Sequence, residues 1–143
     1  MLGVLMSILA GAAMSVQGVM NTRLSEKIGL HESNMFVQGT AFLLALIVMW
    51  TAGKGSLGSL AQTPWYYWLG GVLGLVITLT VMLGIGSLSP AVAVSIILIS
   101  QLLVAALIDA LGLMGAEKVP FTWRQFAGAG LMIAGVLLFK WQK

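Results

Sequence analysis

Cysteine is absent, histidine occurs once, and charged residues make up only 8% of the chain. Without a thiol there is no disulfide and no thiolate nucleophile, and the lone His31, next to Glu32, cannot assemble a His-rich metal site. Acidic residues number four against seven Lys and Arg, and no nucleophile–base pair or phosphate loop occurs among them. The run Gly70-Gly71-Val72-Leu73-Gly74 lies in an apolar stretch, where close helix packing accounts for it better than a nucleotide does. These absences argue against an enzyme and against any metal or organic cofactor. The net charge of +3 and a pI of about 9.6 suit anionic lipid head groups rather than nucleic acid.

What the chain does have is apolar length. Of its 143 residues 59% are hydrophobic, and the mean hydropathy is +1.04, which marks an all-α integral membrane protein. Apolar stretches cover residues 2–21, 34–53, 65–88, 90–114 and 122–141, each near the ~20 residues that a spanning helix needs. The expectation is a single five-helix transmembrane domain over 1–143, with no room for a soluble one. The first stretch follows Met1 without a basic segment, so it reads as a retained helix despite the cleavage-like Leu9-Ala10-Gly11-Ala12. Trp123 and Trp141 bracket the last stretch as interfacial anchors, about 27 Å apart at 1.5 Å per residue. Trp50 with Lys54 marks the exit of the second helix. Trp65-Tyr66-Tyr67-Trp68, after Pro64, marks entry into the third, an aromatic substrate cage being the alternative.

Five spans would place Lys54, Lys118 and Arg124 on one side of the bilayer, and Arg23, Lys27, Lys140 and Lys143 on the other. Orientation follows the Lys and Arg bias of short loops, and a difference of one residue leaves both orientations accessible. Such a chain can pair with an inverted copy of itself. The alternative is a fixed orientation set by the first helix or by a partner.

Small residues recur at helical spacing: Gly3, Ser7, Gly11 and Ser15; Gly70, Gly74 and Thr78; and Gly128 with Gly135, seven apart on one face. Ridges of this kind let helices approach closely, within the subunit or across a dimer. Amides are the sharper functional signal, because an unpartnered amide in hydrocarbon costs several kcal/mol. Gln17 and Asn21 stand four apart, Asn34 and Gln38 repeat the spacing, and Gln101 lies near the middle of the fourth stretch. They line one internal cavity or hydrogen-bond between helices, and Asn21 and Asn34 can also be read as helix-end caps. Asp109 is the one acid inside a span, on the order of 10 Å from the midplane. It is either a coupling carboxylate or a structural one paired with Lys118 or Arg124.

Taken together, Gly11 with Ser15-Val16-Gln17 and Asn21-Thr22-Arg23-Leu24, then Ser100-Gln101-Leu102 and Leu107-Ile108-Asp109-Ala110-Leu111-Gly112, then Arg124-Gln125-Phe126-Ala127-Gly128 and Ala134-Gly135-Val136 resemble a known family. They look like the small five-helix YdcZ-type members of the drug/metabolite transporter superfamily. That resemblance implies a bacterial inner-membrane protein that is half of an inverted-repeat ten-helix transporter and needs a second half. It further implies an exporter of a small organic molecule, working by alternating access as an antiparallel homodimer or with a paralogue. Where the four-helix multidrug members carry a glutamate in helix one, this chain has Gln17, so a polar, zwitterionic or lipid-like substrate suits it better than a drug cation. A small dual-topology ion channel and a non-transporting partner subunit are the alternatives from other classes.

Overall fold

The computed structural model describes residues 1–120 and 122–141, with side chains described up to Leu138. The elements are α1 (Leu2–Ile28), α2 (Leu30–Ala52), α3 (Gly70–Ser87), α4 (Pro90–Leu111) and α5 (Trp123–Trp141). Two 3-10 segments, Leu57–Gln62 and Trp65–Leu69, precede α3, and a third, Leu113–Gly115, follows α4. The described residues hold no strand, and the chain is an all-α membrane protein. Four helical stretches are long and apolar enough to cross a bilayer: Leu2–Ile28, Leu30–Ala52, Trp65–Ser87 and Pro90–Leu111. The apolar part of α5, Trp123–Leu138, is shorter. The chain divides into two compact units, Met1–Ser87 and Leu88–Lys143.

In the first unit α1, α2 and α3 pack on one another. The helices run further than the apolar stretches, because a helix does not end where charge begins. Hydropathy stops at Asn21, yet α1 continues through Thr22–Lys27, supported by an Arg23–Glu26 ion pair of 3.0 Å at i,i+3 on the exposed face. The loop expected over 22–33 shrinks to one residue, Gly29, at φ 99° and ψ 154°. That region of the backbone map is open essentially to glycine alone. Burial in this unit concentrates around the Gly29 turn. Residues 1–14 and 39–73 are all exposed.

The aromatic cluster lies in the 3-10 segment ahead of α3 and is exposed, with Trp65, Tyr66 and Tyr67 stacked edge to face. The Trp68 indole donates to the Thr63 hydroxyl at 2.9 Å, a polar handle of the kind that suits an interface residue.

In the second unit α4 pairs with α5. Ser89 caps α4, its hydroxyl accepting from the Val92 N–H, and Pro90 opens the first turn. The helix ends at Leu111 rather than at residue 114, because Gly112 takes the left-handed conformation that closes a helix. The chain then folds back, so that the Val119 N–H donates to the main-chain carbonyl of Asp109 at 2.9 Å. Thr122 and Gln125 start α5 with half of a capping box, the Gln125 side chain accepting from the Thr122 N–H. Of the expected anchors Trp123 is 81% exposed, while the side chains of Trp141 and Lys140, and all of Lys143, lie outside the described residues.

Candidate polar site at the Gly29 turn

Where α1, α2 and α3 meet, the helices can approach because the facing residues are small. A Cβ on Gly18 would stand 2.7 Å from Ile85 Cδ1 and 3.1 Å from Val81 Cγ1, and one on Gly86 would stand 3.6 Å from Thr22 Cγ2. Thr22 and Ser25 turn their hydroxyls back onto the Gly18 and Thr22 carbonyls of their own helix, at 2.8 and 2.7 Å. That satisfies both groups without spending a neighbour. Met82 and Ile85 from α3 seal the contact.

Buried against this apolar floor are Asn21, Thr22, Ser33 and Asn34. The fully buried Ser33 hydroxyl points to the Asn21 carbonyl at 3.3 Å and to Met82 Sδ at 3.7 Å. Asn34 Oδ1 is sealed from solvent and has no partner among the described residues. Neither asparagine is a helix-end cap. Asn21 lies well before the end of α1 and Asn34 one turn into α2, so both side chains project between helices.

The sequence-predicted residues fall in different places. Asn21 is in this junction, and Gln38, half-buried one turn beyond Asn34, lays its Nε2 3.7 Å from where a Cβ on Gly74 would be. Gln17 shares α1 with Asn21 but is exposed. Gln101 and Asp109 belong to the second unit and are both exposed on α4. Asp109 forms no ion pair with Lys118 or Arg124 within 4.0 Å; among the described residues the ion pair is Arg23–Glu26. What ties Asp109 to its surroundings is its main-chain carbonyl.

Ser33, Thr22 and Met82 carry no mark in the hydropathy pattern, since Ser33 follows His31 and Glu32 in what reads as a loop. Helical phase extended through the charged segment would have found Thr22 and Ser33. Gly18, Thr22 and Ser25 recur at i, i+4, i+7 on α1, and Ser33 and Val37 continue the same inner face on α2.

The α4–α5 pair meets through Leu103, Ala106, Leu107 and Ala110 on one side and Phe126, Ile133, Val136 and Leu137 on the other, leaving two apolar clefts of about 230 and 300 Å³. Gln101 and Asp109 line neither. The face that α5 presents to α4 is not the Gly128–Gly135 face, and a Cβ on either glycine would meet nothing within 4 Å.

A family model described as "Putative inner membrane exporter, YdcZ", of the drug/metabolite transporter group, matches residues 2–138. No curated protein and no solved structure matches the chain.

Proposed function

Because the chain belongs to the YdcZ family of inner-membrane exporters, we propose that it exports a small organic molecule as an antiparallel homodimer. Two inverted copies would rock against each other around a site near the midplane. The carrying observation is Gln101. It is exposed halfway along α4, a helix apolar enough to span. An amide facing lipid costs several kcal/mol, so in a bilayer Gln101 is covered by protein or by the water of a pathway. A second copy supplies that cover, and Gln17 has the same requirement on α1.

Inversion is supported by the balanced Lys and Arg distribution, which gives neither orientation an advantage. Neutral amides at Gln17, Asn21, Gln38 and Gln101 suit a polar or zwitterionic substrate, and any proton coupling falls to Asp109.

Absence of cysteine makes the test direct. Ser59→Cys, at an exposed position between α2 and α3, is labelled with a membrane-impermeant thiol reagent in intact cells and in inverted vesicles. Labelling of about half the molecules from each side supports the reading. Labelling from one side alone sinks the antiparallel homodimer, and substrate-independent macroscopic currents would replace the exporter with a channel.

A further inference from the structure

The unpartnered carbonyl of Asn34 asks for a donor. Asn34 is 5% exposed, and its Oδ1 is out of reach of solvent. Its neighbour Ser33 does not fill the need, because that hydroxyl faces the main-chain carbonyl of Asn21 at 3.3 Å and Met82 Sδ at 3.7 Å and makes no hydrogen bond to Oδ1. The Arg23 guanidinium is engaged with Glu26 on the outer face. Thr22 and Ser25 have spent their hydrogens on their own helix. Two successive helices thus bring Asn21, Ser33 and Asn34 to one buried place and leave an acceptor over.

We propose that this junction, at the end of the bundle where α1 emerges into water and apart from the midplane site, recognises an N–H or O–H group of the transported molecule on its way to that site, with Asn34 Oδ1 as the acceptor. The inference rests on the exporter reading and narrows its substrate to molecules that carry a hydrogen-bond donor. The site is closed in this conformation. Gly18 against Ile85 and Val81, and Gly86 against Thr22, hold α1 on α3 beside it, so a ligand enters when these helices part. A closed state that strands an acceptor is less favourable than one in which the acceptor is bonded, and a donor therefore shifts the population toward the bound form. A fully methylated molecule has nothing to give.

Thermal unfolding of the purified full-length chain in detergent tests this with two matched probe pairs. These are acetamide against N,N-dimethylacetamide, and methylammonium against tetramethylammonium. Wild type, Asn34→Leu and Asn34→Ala are compared. The expected result is that at least one N–H probe raises the wild-type Tm above its methylated partner, and that neither variant separates the pairs. Without probe, Asn34→Leu should unfold about 2–4 °C higher than wild type, because a side chain of similar size no longer strands an acceptor. If Asn34→Leu does not fold, Asn34→Ala carries the probe comparison.

The proposal is overturned if wild type fails to separate the pairs, or if the variants separate them as well as wild type does. A lower Tm for Asn34→Leu, with no probe response in wild type, would identify the missing donor as a structural water and overturn it equally. Balanced Ser59→Cys labelling together with no probe response would remove this site and leave the exporter reading standing.

Discussion

Between helices of the first unit, the tightest approach at a glycine is where Gly18 on α1 faces Ile85 on α3, and it yields a test of the packing that needs no substrate. Gly18→Ala places a Cβ 2.7 Å from Ile85 Cδ1 and 3.1 Å from Val81 Cγ1, against an optimum of about 3.5–4.0 Å between carbons. Ile85 is 5% exposed, so its Cδ1 has little free space to rotate into. Overpacking of this kind costs about 1–3 kcal/mol, and the better helix propensity of alanine returns about 1 kcal/mol. The net loss is then about 1 kcal/mol. Ile85→Val deletes the atom that the new methyl meets, and in the wild-type background costs about 0.5–1.5 kcal/mol. In the Gly18→Ala background the same deletion removes the clash, so the double variant should be more stable than the sum of the singles by about 1 kcal/mol. That exceeds the scatter of about 0.3–0.5 kcal/mol expected for independent sites. The assay is reversible unfolding in mixed micelles, titrating dodecyl sulfate into a mild detergent and following tryptophan fluorescence. Gly3→Ala, where a Cβ meets nothing within 4 Å, serves as the reference. Additive losses at Gly18 and Ile85, or coupling of the opposite sign, would refute the α1–α3 contact and the sealed junction built on it.

Gly29→Ala should cost about 1–3 kcal/mol in the same unfolding assay, since φ 99° with ψ 154° excludes a side chain and the added Cβ meets the Glu32 carboxylate; equal stability would place the α1–α2 turn elsewhere. Asp109→Asn should leave stability within about 0.5 kcal/mol, because the exposed carboxylate holds no ion pair among the described residues. Loss of proton-linked efflux in that variant would mark Asp109 as the coupling group, and unchanged flux at every pH would remove it. Glu26→Gln should cost at most about 0.5 kcal/mol, since its pairing with Arg23 is a surface one. Gln101→Ala should abolish efflux while the dimer persists on crosslinking, and wild-type flux would end its assignment to the transport pathway.

Hydropathy makes the rough placement of the helices legible, four of them long and apolar enough to cross a bilayer, because a membrane helix must be apolar for about 20 residues and little else in a chain is. It does not make their ends legible. Beyond Asn21 the chain is charged, yet a helix emerging into water needs only backbone bonding and pairs such as Arg23–Glu26. The polar junction is hidden for the same reason, since Thr22 and Ser33 lie in the segment that hydropathy assigns to a loop. Glycine spacing misleads in the other direction. Gly3 and Gly11 form a regular ridge, but a Cβ on either would meet nothing within 4 Å, and the approach falls instead on Gly18, seven residues beyond Gly11 on the same face. Sequence spacing shows which glycines share a face and is silent on where along that face a neighbour is met. Ser7 and Ser15, the hydroxyl members of the ridge, bond to the carbonyls of Gly3 and Gly11 in their own helix, which fits a lipid-facing surface as well as a packed one.

The case for a second chain rests on this distinction between apolar and polar exposure. Leu, Val and Ile side chains are exposed on every helix, and in a soluble protein such a surface would demand cover. In a bilayer it demands none, since lipid tails are as apolar as leucine and supply no hydrophobic force between helices. The exposed leucines are therefore neutral between a monomer in lipid and a dimer. Gln17 and Gln101 are not neutral. Each presents an amide with two donors and an acceptor from an apolar helix, and hydrocarbon cannot bond to any of them. Gln101, at mid-helix, cannot readily reach head-group water by extending its side chain, as a residue near a helix end can. A cover of protein, or of water enclosed by protein, is what its position requires. Gln101→Leu, which removes that requirement while keeping the bulk, should therefore weaken the dimer less than it weakens transport. A variant that dissociates the dimer completely would show instead that the amide is a bond holding two chains together.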